Sequence, residues 1–201
     1  MTIYQLKPAF QNLLRPLCRT LAGRGITANQ VTVAALLMSL VAGATIWLSD
    51  GARWALALLP IVLLLRMALN AVDGMLAREH AMKSDLGAIL NELGDVFSDA
   101  ALYLPLAAVP GLSPALVVMI VLLAVVSEMT GVLAVLIGAE RRYDGPMGKS
   151  DRAFAFGLLA LLLAFGIPTG LWLHLVLAAI LLLLALTIIN RARRALAEVQ
   201  A

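Results

Sequence analysis

Two short stretches of this chain carry residue types able to do chemistry. One is Asn70-Ala71-Val72-Asp73-Gly74-Met75-Leu76-Ala77-Arg78, and the other is the series Gly87, Asn91, Asp95 and Asp99. Asn70 and Asp73 stand three residues apart, so on a helix they share a face. Gly87, Asn91, Asp95 and Asp99 recur every four residues and draw a polar stripe on a second helix. Carboxylate and carboxamide oxygens converging from two helices suit a hard divalent cation such as Mg²⁺ or Mn²⁺. Gly74 and Ala77 leave space for another backbone or a flat ligand, and Arg78 offers a planar fork suited to phosphate. The plain alternative is hydrogen bonding from helix to helix. Several such residues on two facing stripes, with Arg78 and Lys83 beside them, favour a site.

The segments that carry these residues are strongly apolar. Of 201 residues, 62% are apolar and 13% charged, against about 25% charged in soluble proteins. Runs such as 116–136 and 171–189 carry almost no polar residues and match the ~20 helical residues needed to cross a hydrocarbon core. Ionisable groups are costly at that depth and usually mark a pathway or a reaction site. The reading is an all-α integral membrane protein. Residues 1–25 form an amphipathic interfacial helix, with Leu6, Phe10, Leu13, Leu14, Leu17 and Leu21 on one side and Lys7, Gln11, Arg15 and Arg19 on the other. Residues 26–201 form a six-helix transmembrane domain with spans at 29–48, 54–78, 86–109, 114–138, 151–167 and 171–190. Thr27 or Asn29 caps the first span. The short loop from Glu79 to Asp85 makes the second and third spans antiparallel neighbours, with their polar faces meeting at one end.

Thirteen of the fifteen basic residues fall on one side of this arrangement, Arg53 falls on the other, and Arg66 lies inside the second span. The basic side is read as cytoplasmic, with both termini there. The net charge of +3 comes from scattered loop residues without interleaved aromatics, which argues against a nucleic-acid partner. The single cysteine, Cys18, excludes an intramolecular disulfide and reads as a small apolar helix residue. The first residues lack the layout of a cleaved signal and are expected to be retained.

At this point the sequence resembles the CDP-alcohol phosphotransferase family, whose signature is D-x-x-D-G-x-x-A-R, eight or nine residues, then G-x-x-x-D-x-x-x-D. Asp73, Gly74, Ala77, Arg78, Gly87 and Asp95 match it at the right spacing. Thr27-Ala28-Asn29-Gln30-Val31-Thr32 is similar to the family's T-P-N-x-x-T at the start of the first span, with Ala28 in place of proline. The resemblance implies attack by an alcohol on the β-phosphoryl of a CDP-linked lipid, usually CDP-diacylglycerol, with release of CMP. It implies two divalent metals, Mg²⁺ or Mn²⁺, held at Asn70, Asp73, Asn91 and Asp95, with Asp95 as the base. Nucleotide contacts fall on Asn29, Gly74, Ala77, Arg78 and Gly87. Arg141, Arg142, Lys149 and Arg152 could face a phosphate on the acceptor or anionic lipid, or simply set the topology. A homodimer and the inner membrane of a bacterium complete the family expectation.

The pattern also breaks. Asn70 and Asn91 stand where the family has its first and third aspartates. They keep a ligating oxygen but lose charge and cannot act as bases, which predicts weaker metal binding. Asp99, one turn beyond Asp95, is a candidate to share the catalytic work. Glu92 is read as facing water or headgroups. Glu128 needs a buried partner, for which Arg66 is the candidate. Three readings stay open: an active phosphatidyltransferase with an altered metal site, an impaired relative that binds CDP-lipid or a partner, and a small transporter.

Overall fold

The computed structural model describes residues 3–200, with side chains described from Ala9 onward. The side chains of Leu6 and Lys7, residues 1 and 2 of the first expected unit, and Ala201 lie outside the described residues. The described chain is all helix and turn. Its helices are α1 (Ile3–Gly23), α2 (Ala28–Leu48), α3 (Arg53–Glu79), α4 (Asp85–Tyr103), α5 (Pro114–Leu136), α6 (Lys149–Ala164) and α7 (Leu171–Val199), with a 3-10 segment at Leu104–Ala108.

Local chemistry sets several of these boundaries. Thr27 caps α2 in a capping box: its hydroxyl accepts from the Gln30 N–H at 3.3 Å, and the Gln30 side chain accepts from the Thr27 N–H at 2.9 Å. Ser84 caps α4 by accepting from Gly87 N–H at 3.0 Å. The third expected span, 86–109, ends early as an α-helix. Pro105 lacks the N–H that the ladder needs, and the chain tightens into the 3-10 segment from Leu104. The sixth runs beyond its expected end at 190 to Val199, because Arg191 to Val199 continue the helix past the apolar stretch.

Four helices, α2, α3, α5 and α7, are long and apolar enough to cross a membrane, with mean hydropathies of 2.1, 2.2, 2.5 and 2.7. The protein is a multi-pass membrane protein. The other two expected spans fall short of that standard: α4 carries Asp85, Glu92, Asp95 and Asp99. Helix α6 has 16 residues, a rise of about 24 Å against a hydrocarbon core of about 30 Å.

Packing runs in the order α6–α3–α2–α4–α5–α7, with α1 lying across α3. The second and third expected spans, α3 and α4, are therefore not tight neighbours. Helix α2 packs against both, while polar side chains of α3 and α4 still meet directly, Asn70 donating to Asp95 at 3.1 Å and Arg66 to Asp99 at 2.5 Å. The close packing of α2 on α4 depends on Gly43, where a Cβ would stand 1.9 Å from the Ala101 carbonyl oxygen. The main core gathers Leu59 and Leu63 of α3, Leu102 of α4, Ile120 of α5, Phe156 of α6 and Leu177 of α7. A second cluster joins Cys18 of α1 to Val31, Val72, Met75 and Leu76, and Arg15 ties α1 to Glu79 at 3.0 Å. The outward apolar side chains, such as Leu48, Leu64 and Leu136, are exposed, as lipid-facing surfaces require.

Candidate active site

Separating α3 from α4 opens a cleft of about 680 Å³ between α2, α3 and α4, with Phe10 and Gln11 of α1 at its edge. Its lining brings together Asn29, Asn70, Asp73, Gly74, Ala77, Arg78, Gly87 and Asn91, along with Lys83 and Ser84 of the intervening loop. These residues span 63 positions of sequence from Asn29 to Asn91. The cleft exists because α2 inserts its N-terminal turn beside both motif helices.

Within it, Thr32 donates to Asp73 Oδ2 at 2.8 Å and fixes that carboxylate against α2. Gly87 lets Asn29 approach: a Cβ there would stand 2.7 Å from Asn29 Oδ1. The Arg78 guanidinium folds back over Gly74, with Nη2 3.0 Å from where a Cβ would sit.

Asp95, half-buried one turn beyond Asn91, falls outside the lining of the cleft, and Asp99 is buried one turn deeper. Asp95 Oδ1 accepts from Asn70 Nδ2 at 3.1 Å and faces Arg66 Nη2 at 3.5 Å. It is also bonded by the Lys149 ammonium. Asp95 Oδ2 has no hydrogen-bond partner among the described residues. Arg66 further donates to the Asp95 carbonyl at 2.9 Å. Asp99 is committed elsewhere. Its Oδ1 accepts from Arg66 at 2.5 Å, and its Oδ2 accepts from Arg152 Nε at 3.0 Å and Nη2 at 2.8 Å. Both Asp99 oxygens are thus held by arginines, and Asp99, like Asp95, is outside the lining of the cleft.

The ion-pair network continues behind Asp99. Glu128 does find buried partners, but they are Arg152 at 3.0 Å, Arg191 at 3.3 Å and Arg141 at 3.5 Å rather than Arg66. Arg66 on α3 faces α4, whereas Glu128 on α5 faces α6 and α7. Glu92 is not left to water; it accepts from Arg141 at 2.5 Å. Arg142 pairs with Asp144 at 2.8 Å and Glu198 at 2.6 Å. The four residues expected to face a phosphate, Arg141, Arg142, Lys149 and Arg152, are thus all matched by acids of the chain itself.

Sequence reading passed over three working contacts. Thr32 holds Asp73, Arg66 holds Asp99, and Arg191 supports both Glu128 and the Ser127 carbonyl, the latter at 2.5 Å. A signal existed for Arg191, which continues the buried stripe Ile180, Leu184, Thr187, Arg191, Ala195 along one face of α7.

A divalent cation of the family type needs several oxygens closing around one point at about 2.0–2.2 Å. The residues here do not fit that demand. Two of the four are asparagines, Asp95 is paired to Lys149, and Asn70 turns its nitrogen toward Asp95. Among the described residues, no group of three or more His, Cys, Asp and Glu side chains converges as metal ligands do.

This sequence and this fold have relatives. The family model for CDP-alcohol phosphatidyltransferase matches residues 25–191. The chain belongs to the CDP-alcohol phosphatidyltransferase family. It is 48% identical over 196 residues to the inner membrane protein YnbA of Escherichia coli (strain K12), covering 98% of this chain and 97% of that protein. It is 33% identical over 98 residues to the archaetidylinositol phosphate synthase of Pyrococcus horikoshii, about half of each chain (49% and 50%). Among solved structures, the Mycobacterium tuberculosis phosphatidylinositol phosphate synthase in complex with manganese and citrate superposes with a TM-score of 0.75 at 20% identity, covering 90% of this chain and 88% of that one. The same enzyme with CDP-DAG bound gives a TM-score of 0.73 at 20% identity, with 92% of each chain covered. At that identity the likeness establishes the fold.

Proposed function

We propose that the protein is a membrane phosphotransferase of phospholipid biosynthesis. It transfers a phosphatidyl group from a CDP-linked lipid such as CDP-diacylglycerol to an alcohol and releases CMP. The observation that carries this reading is the cleft itself: Asp73, Gly74, Ala77, Arg78 and Gly87, which match the family signature, line it together with Asn29 and Thr32 of α2. That a protein of similar fold has been solved with CDP-DAG bound supports the same donor.

In this reading the cytidine diphosphate lies over Gly74, Ala77 and Gly87, near Asn29, with Arg78 and Lys83 as its phosphate contacts. The acceptor oxygen bonds to the β-phosphorus as the bond to CMP breaks, and the hydroxyl proton passes to a carboxylate. Asp95 is the base, because its Oδ2 is free of partners among the described residues while its Oδ1 is anchored. Asp73, held by Thr32, positions the donor from the opposite wall. The chain supplies the positive charge that phosphoryl transfer requires through Arg78, Lys83 and Lys149. The proposal keeps 1–25 as an interfacial unit and 26–201 as the catalytic domain. It keeps six passes, in which α4 and α6 span by burying their charges against neighbours, and a cytoplasmic cleft and termini. The lipid bilayer is its solvent, a second copy of the chain its expected partner, and nucleic acid plays no part.

Incubation with radiolabelled CDP-diacylglycerol and a panel of alcohols, with products identified by mass spectrometry, tests the proposal. A new phospholipid and CMP are expected, with release falling by about a hundredfold or more in Asp73→Ala and Asp95→Ala. The two asparagines favour one second reading, a relative that binds the CDP-lipid without turnover. Saturable CDP-lipid binding with no CMP release from any alcohol would establish that instead.

A further inference from the structure

We infer that Lys149 is the resident cation of this site: its ammonium holds the place beside Asp95 that a divalent ion takes in a metal centre. The free protein therefore binds neither Mg²⁺ nor Mn²⁺ there. The inference rests on the transferase reading only for the location of the cleft.

Three observations converge on it. First, every hydrogen-bond and ion-pair partner of Asp95 Oδ1 among the described residues is a donor. Lys149 bonds it, Asn70 Nδ2 reaches it at 3.1 Å, and Arg66 Nη2 lies at 3.5 Å. An asparagine that presents nitrogen to a carboxylate presents no oxygen to a cation between them. The opposite rotamer would set two oxygens against each other at 3.1 Å.

Second, the lysine is placed for this task by its element. It opens α6, where the Gly148 N–H donates to Asp151 Oδ2 at 2.9 Å and fixes the first turn. From there it crosses to α4, and its only ion-pair partner among the described residues is Asp95. Arg66 is shared between the two aspartates: its Nη1 is held by Asp99 at 2.5 Å, and its Nη2 stands farther from Asp95 Oδ1, at 3.5 Å.

Third, the charges agree. Asparagine at positions 70 and 91 removes two negative charges from the four-carboxylate pattern. A fixed ammonium then serves where a divalent ion would otherwise be needed. A second cation at the same carboxylate would stand within a few ångströms of the ammonium and be repelled.

The probe is Mn²⁺ itself, followed by the loss of its free-ion EPR signal, with the purified full-length chain in nanodiscs and no nucleotide. The wild-type protein should leave the signal intact up to millimolar Mn²⁺. Lys149→Met should bind Mn²⁺ about a hundredfold more tightly than the wild type, and Lys149→Arg, which keeps the charge, should behave as the wild type does. Lys149→Met should also melt at a lower temperature in EDTA and recover when Mn²⁺ is added, a recovery absent from the wild type. Adding Asn70→Asp and Asn91→Asp to Lys149→Met should tighten Mn²⁺ binding further. Should Lys149→Met fail to fold, Lys149→Gln carries the same test.

Micromolar Mn²⁺ binding by the wild type, or no gain on removing the ammonium, would overturn the inference. CDP-lipid binding in EDTA is measured separately. Its absence refutes the transferase reading and leaves the result on Lys149 standing.

Discussion

Asp99→Ala is the perturbation that most sharply separates a structural aspartate from a catalytic one. In the folded protein Asp99 accepts from Arg66 Nη1 at 2.5 Å and from Arg152 Nε and Nη2 at 3.0 and 2.8 Å. The side chains of Arg66 and Arg152 are 3% and 1% exposed. Removing the carboxylate strands two buried guanidinium groups, although each keeps one neighbour: Asp95 for Arg66, and Glu128 for Arg152 at 3.0 Å. Breaking a buried pair from one side typically costs about 3–5 kcal/mol, which for a chain of this size lowers the melting temperature by roughly 10 °C. The assay is thermal melting in detergent, run as a double-mutant cycle with Arg152→Ala. The cycle should show a coupling of about 1–3 kcal/mol, because each single change leaves the other charge unmatched. The folded fraction of Asp99→Ala should still bind the CDP-linked donor, since Asp99 does not line the cleft. A melting temperature within about 2 °C of wild type, or Asp99→Asn that melts normally yet loses all CMP release, would refute the reasoning.

Further outcomes follow from single contacts. Gly87→Ala should weaken CDP binding by about tenfold, read by titration, because the new Cβ falls 2.7 Å from Asn29 Oδ1 and must displace it. At the loop between α5 and α6, burial pushes the Asp144 carboxyl up, but the Arg142 hydrogen bond and the Arg142 and Arg194 charges hold it below its ordinary value of 3.8. Its stabilisation is therefore complete above that value and fades as pH falls through the lower folded value. Melting curves should show Asp144→Asn losing stability against wild type at neutral pH, with the two converging in strong acid.

The sequence made the cleft legible because its residues are fixed by local spacing. Asn70, Asp73 and Gly74 share one helix face, as do Gly87 and Asn91, and any fold that opposes those faces assembles the site. Thr27 as a cap was legible for the same reason, since its box with Gln30 closes within one turn. What could not be read was long-range pairing. A short loop between α3 and α4 argued for contact, and their side chains do meet through Arg66, Asn70, Asp95 and Asp99, but the close backbone packing of each is with α2. Glu128 had to have a buried cation, but which arginine depended on how α5 faces α6 and α7. Basic residues that sequence reading assigned to one side of the membrane also fill the interior by their helical phase, as Arg191 does.

The position of the two asparagines follows from these pairings. Asp95 cannot lose its charge cheaply, because Lys149 and Arg66 both lean on it and would be left unmatched beside a buried arginine network. Asp73 is the remaining carboxylate of the motif on the cleft wall and is held by a hydroxyl from α2. Positions 70 and 91 differ. Asn70 donates to Asp95 rather than receiving from a cation, and Asn91 lines the cleft without an ion pair among the described residues. Charge can be removed at those two positions without orphaning any buried cation. Once Lys149 satisfies Asp95, a carboxylate at position 70 would place a second negative oxygen within about 3 Å of the first, a repulsion of about 5 kcal/mol at an effective dielectric of 20. The lysine inferred to stand in for an ion therefore makes asparagine the better residue beside it, and Asn70, Asp95 and Lys149 form one coupled set.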